Sequence, residues 1–333
     1  MTPGRHFRFG LLTALTFAAI AVSVPAEAEA PAKLSRVGLL DVVAPNDSRR
    51  MLWESFRRRL RELGYREGEH VVFEFRSAHG RTEKLGAAAA ELAALKVDVI
   101  VAASTPGVLA ARRSAPSIPI VMTNTSDPVG TGLVASLAHP GGNVTGLTTL
   151  SNELSVKRLE LLRELIPDLS RVGVLADATN PAAAIAVRDT QGAAGPLRMQ
   201  ILSFEVRSRA DIDGAFTAAI KEQTQALIVF PGPLLFGEMK PLVALAARHG
   251  LPVMYAQREY VDAGGLAAYG ASLSDNFARA AVFVDKILRG VKPADLPVEQ
   301  PTRFEFVINL RAAKTLGLTV TPSLLLRADS VIR

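Results

Sequence analysis

The sequence predicts an α/β protein of two similar lobes, each a parallel sheet with flanking helices, and three observations predict it. From Arg36 onward, short β-rich runs alternate with longer stretches of helical periodicity, the pattern of βα units around a parallel sheet. The same order of segments occurs twice. RVGLL at Arg36 is echoed by RVGVL at Arg171, VIV at Val99 by LIV at Leu227, and IPIVM at Ile118 by LPVMY at Leu251, at offsets of 135, 128 and 133 residues. Finally, the roughly 300 residues that follow a leader-like start exceed the usual ~100–200 of one domain and accommodate two cores.

In chain order, residues 1–30 read as a secretory signal peptide. Arg5, His6 and Arg8 make a basic start, Phe9 to Val24 is an apolar run, and Ala26, Ala28 and Ala30 offer small-residue cleavage points. A retained anchor is the alternative, because the apolar run is close to the ~20 residues of a spanning helix. The first lobe then opens with strands at Val37–Leu40, Val71–Phe75, Val97–Ala102 and Ile118–Met122. Between the first two, Leu52, Trp53, Phe56, Leu60 and Leu63 recur at helical spacing, burying one stripe and exposing Arg57, Arg58 and Arg61. Val144–Leu150 reads as a strand leaving the first lobe, and a helix over Val156–Ile166 opens the second. Leu266–Tyr269 is a further strand. The helix Asn276–Leu288 is assigned back to the first lobe, and Phe304–Ile308 with its following helix to the second. Lobe 1 is thus expected over 34–148 plus 270–300, and lobe 2 over 149–269 plus 301–333. Three crossings between them favour rigid-body closing.

Composition narrows the function. The chain has no cysteine, which removes disulfides, thiol catalysis and zinc–thiolate sites. Its net charge of +6 comes from arginines spread along the chain, whereas nucleic-acid binders concentrate charge in one stripe. No nucleic-acid partner is expected. The G-x-S-x-G elbow, the H-E-x-x-H pair, the dinucleotide fingerprint and the P-loop are all missing from the text. The five histidines are scattered. Neither a cofactor nor a metal is expected, nor catalysis.

Open parallel sheets bind ligands beyond the carboxyl ends of their strands, which selects the loops after each strand. These carry Asp41 to Ser48 with Asn46; Ser104 and Thr105; Thr123, Asn124, Ser126 and Asp127; Asp177, Thr179 and Asn180; Pro231 and Gly232; and Tyr255, Gln257 and Glu259. Of these, Asp41, Asn46, Ser104, Thr105, Thr123, Asn124, Asp127, Asn180, Pro231 and Tyr255 are the candidate ligand contacts. Ser104-Thr105-Pro106 leads, because a hydroxyl residue followed by proline places free backbone N–H groups at a helix start and makes an anion site. The alternative is a hydroxyl that only caps its own helix. Asn180-Pro181 has the same two readings. Asp127 either meets a ligand ammonium or starts a turn before Pro128.

The stretch DPVGTGLVASLAHPGGNVTG from Asp127 to Gly146 resembles the signature of the ABC-transporter substrate-binding proteins whose members include aromatic amino-acid binders. The resemblance extends to RVGLLD at Arg36, FRRRLRELGYREGEHVVFEFR at Phe56, VDVIVAASTPGVLAA at Val97, KRLELLRELIP at Lys157 and KILRGVKPADLPVEQPTRFEFVINLRAAKTLGL at Lys286, essentially residues 34–330. It implies a type I periplasmic-binding-protein fold, two Rossmann-like lobes with a three-crossover hinge. It also implies delivery of the ligand to an ABC permease in the inner membrane; together with the leader and the Ser104 loop, the expectation is a periplasmic, monomeric protein that binds a small carboxylate-bearing solute, an amino acid or an aromatic or organic acid. In related amino-acid binders, serine and threonine loops of the first lobe hold the carboxylate, and an acidic or carbonyl group holds the ammonium; Ser104, Thr105, Thr123 and Asp127 are the matching places. The loop after the first strand, DVVAPNDSRR, departs from the Gln-containing, His-Pro version of the aromatic binders. A module reporting to a signalling partner, or an exported α/β hydrolase, is the alternative. A repressor core of this fold would carry a helix-turn-helix where the leader stands.

Overall fold

Strands buried on both faces read as continuous apolar runs, and those runs fold as expected. The computed structural model describes residues 1–2, 34–150 and 154–333, so nearly all of the expected leader lies outside the described residues. Leu34–Arg333 forms one compact unit. Its first half comprises β1 (Ser35–Asp41), α1 (Asp47–Glu62), β2 (Val71–Ser77), α2 (Leu85–Ala94), β3 (Val99–Ala102), α3 (Thr105–Ser114), β4 (Ile120–Thr125) and β5 (Val144–Thr148). These strands make an all-parallel sheet in the order β2-β1-β3-β4-β5.

The second half repeats the plan. After α4 (Ser155–Leu165) come β6 (Arg171–Asp177), α5 (Pro181–Ala194), β7 (Gln200–Val206), α6 (Asp211–Lys221), β8 (Ala226–Val229), α7 (Pro233–Gly237), α8 (Met239–Arg248), β9 (Val253–Tyr255), α9 (Glu259–Asp262) and β10 (Ala267–Ala271). The repeat is visible in the register: Val37 faces Val99 across β1 and β3, and Val172 faces Ala226 across β6 and β8. α10 (Leu273–Leu288) then packs on the first sheet, where Phe277 meets Trp53 edge-on at 4.9 Å between ring centroids. The chain returns through β11 (Phe304–Asn309), α11 (Leu310–Thr315), α12 (Pro322–Arg327) and β12 (Ser330–Ile332). The second sheet runs β12-β11-β10-β9-β8-β6-β7, with β11 antiparallel to β10. The alternation of βα units did not announce that reversal. It follows because β11 re-enters from the other lobe, against the direction of β10.

Three strands of chain therefore join the sheets: from β5 to α4, from β10 to α10, and from 296 to 304. The third is stitched to the first sheet. Thr145 Oγ1 donates to the Leu296 carbonyl at 2.6 Å, Glu299 N to Gly146 O at 2.9 Å, and Thr148 N to Glu299 O at 3.1 Å. The buried Arg158 of α4 donates from Nε to Tyr269 O at 2.8 Å, and burial lowers its pKa to about 10. Among the described residues no helix is long and apolar enough to cross a membrane.

Candidate ligand-binding cleft

The carboxyl ends of both sheets face one another, and the lobes are in contact there: Thr82 Oγ1 and Thr179 Oγ1 lie 3.3 Å apart across the cleft. A small cavity, of about 20 Å³, remains between them. Lobe 1 supplies Val43, Arg49, Ser104, Thr105, Asn124 and Ser126; lobe 2 supplies Asn180, Pro231, Gly232, Pro233, Phe236 and Gln257.

On the lobe 1 side, Ser104 precedes α3 with φ +70° and ψ 156° and makes no side-chain cap bond. This excludes the reading in which its hydroxyl serves its own helix. Its Oγ is buried without a partner, beside the free N–H groups that every helix start carries. The strained backbone is held by Asn124, whose Oδ1 accepts from Ser104 N at 2.9 Å and from Thr123 Oγ1 at 2.7 Å. With its oxygen engaged twice, the Asn124 amide has only its Nδ2 donor left for the cavity. On the lobe 2 side, Asn180 caps α5 through Oδ1 to Ala182 N (3.2 Å), while its Nδ2 donates to Pro231 O (3.2 Å). Gln257 adds a buried amide oxygen that has no partner. The cleft thus offers donors and helix-end charge from lobe 1, and an acceptor from lobe 2.

Ser104, Thr105, Asn124, Asn180 and Pro231 of the candidates meet at the cavity. The other candidates are placed elsewhere. Asp41 is fully buried and its carboxylate is saturated: Arg49 Nε donates at 2.6 Å, Arg49 Nη2 at 3.0 Å, Trp53 Nε1 at 2.7 Å and Val43 N at 3.0 Å. Asn46 is the N-cap of α1, accepting from Arg49 N at 2.8 Å, and does not line the cavity. Thr123 acts behind the wall, by orienting Asn124. Asp127 takes its turn-forming reading, accepting from Gly130 N at 2.7 Å. Tyr255 is buried inside lobe 2, stacked on Tyr260 at 4.6 Å, and burial raises the pKa of its phenol.

Asp177, at the end of β6, mirrors Asp41. Its Oδ1 accepts from Thr179 N at 2.9 Å and its Oδ2 from Leu234 N at 3.0 Å. A Cβ at Gly232 would stand 2.5 Å from the Asp177 Cβ, so glycine is needed for this approach. Both aspartates are buried staples for the first loop of their lobe.

Arg49, Pro233 and Phe236 are cavity residues that the strand-end rule does not reach, because they sit inside the helices that follow. The signal for Arg49 is an aspartate ending a strand and an arginine in the first turn of the next helix. Phe236 carries only the weak signal of a short apolar run, PLLF, after Pro231-Gly232.

Comparison with known proteins agrees with this architecture. The family model for ABC transporter substrate binding proteins matches residues 37–332. A tyrosine-binding protein of Clostridioides difficile is 27% identical over 80% of this chain and 76% of its own length. A conserved domain protein from Vibrio cholerae superposes with a TM-score of 0.85 at 27% identity, over 90% of this chain and 100% of that one. An ABC domain from Streptococcus pneumonia in complex with L-Trp gives 0.83 at 25% identity, over 90% and 100%. A ligand-free, open substrate-binding protein from Clostridium difficile gives 0.66 at 24% identity, over 90% and 99%. The fold is that of type I periplasmic binding proteins, and with the model matched from Val37 to Ile332 the chain belongs to the ABC transporter substrate binding protein family, whose members bind their solutes without converting them.

Proposed function

We propose that this chain is the extracytoplasmic receptor of an ABC importer, exported by a cleaved signal peptide. It binds a small carboxylate-bearing solute between its lobes and presents it as a monomer to an inner-membrane permease. The moving bodies are 34–148 with 270–300 and 149–269 with 301–333. The observation that carries the reading is the Ser104 hydroxyl: buried, unpartnered, at the start of α3 and in a cavity walled by both lobes. A carboxylate there gains a hydroxyl donor and the free N–H groups of the helix start, both charge-assisted. The tyrosine-binding relative and the L-Trp complex support an amino acid or related acid as the solute.

Binding energy realised only when both lobes touch the solute shifts the open–closed equilibrium by the difference in affinity. Thermal denaturation of the ligand-stripped protein tests the proposal. A solute at 100 times its Kd adds about 2.7 kcal/mol of stability. Carboxylate-bearing solutes are expected to raise Tm where their amides and amines do not; no response to any carboxylate would overturn it.

A further inference from the structure

Arg49 sits in the cavity wall with its side chain 3% exposed. Asp41 holds one edge of the guanidinium, through Nε and Nη2. The guanidinium carbon lies 5.3 Å from the centroid of the Phe277 ring of lobe 1 and at the same distance from that of Phe236 of lobe 2. Its remaining N–H groups have no partner among the described residues. A guanidinium keyed at one edge and packed against two aromatic rings is pre-organised to offer its other edge. Phe236 is also the one aromatic residue among the described residues of the cavity wall, and that ring is already engaged with Arg49, so an aromatic solute finds no second ring there among the described residues.

We infer that Arg49 determines specificity by receiving a second anionic group of the solute. The accepted class is then small dicarboxylates, acidic amino acids included, with one carboxylate at Ser104 and the other at Arg49. This inference rests on the proposed carboxylate-binding role of the cleft and narrows it.

The test is calorimetric titration of the full mature protein with succinate, glutarate and L-glutamate, each against its counterpart with a single carboxylate: butyrate, valerate and L-norvaline. At least one diacid is expected to bind ten-fold or more tightly than its counterpart. The double variant Asp41→Asn/Arg49→Gln, which leaves no lone buried charge, is expected to reduce that preference below three-fold. Equal binding of diacids and monoacids by the native protein overturns the inference while leaving the carboxylate reading standing, and needs no variant. A preference that survives in the folded double variant also overturns it. Binding of no carboxylate at all removes the reading and the inference together.

Discussion

Ser104 holds a φ of +70°, a value that residues other than glycine rarely adopt, and its hydroxyl makes no hydrogen bond among the described residues. Such strain, of the order of 1–3 kcal/mol, persists where surrounding contacts fix it, here the Asn124 bond to its N–H. Ser104→Ala is therefore expected to leave Tm nearly unchanged while weakening carboxylate binding about ten-fold, or ~1.4 kcal/mol, as read by titration. Asp41 is the opposite case. Asp41→Ala leaves the Arg49 guanidinium buried without its partner and is expected to cost about 3–5 kcal/mol in chemical denaturation. The sequence made Ser104 legible because a hydroxyl-Pro pair after a strand has a local meaning. It could not separate Asp41 from a ligand contact, since saturation by Arg49, Trp53 and Val43 is a property of packing between segments.

At the scale of elements, the repeated βα order was legible from apolar runs and from the RVG echo, and β1, β3, β6 and β8 lie where those runs stand. β7 and β12 were missed. β7 mixes exposed and half-buried residues at the sheet edge and buries only Val206, and β12 is three half-buried residues long, so neither shows a continuous apolar run. Close packing at β10 gives a sharp expectation. A Cβ at Gly270 would stand 1.9 Å from the Ala256 carbonyl, so Gly270→Ala must separate backbone segments, and it is expected to destabilise by about 3 kcal/mol, the upper end for overpacking. The start of α9 carries a pH dependence. Glu259 has a carboxylate oxygen that is buried and unpartnered, and burial, reinforced by Glu305 and Asp262, raises its pKa from 4.5 to about 7. Between these values the folded protein keeps a proton that the unfolded chain releases, so stability falls as pH rises through that window. Glu259→Gln is expected to flatten the slope and to stabilise by about 1–3 kcal/mol at pH 8, with little gain at pH 4.5, in melts compared across pH.

For the whole molecule, the two-lobe plan was legible because the chain states it twice. The contact between the lobes was not, since it rests on pairs such as Thr82 with Thr179 and Arg49 with Phe236, which join residues far apart in sequence. The central claim is that a solute holds these lobes together, and the absence of cysteine from the chain makes that measurable with two introduced thiols. Spin labels on Thr82→Cys and Thr179→Cys report the width of the cleft in the ligand-stripped protein and after addition of a binding carboxylate. A long or broad distance distribution that collapses to one short distance is the predicted result; a distribution unchanged by a solute that demonstrably binds would contradict the account.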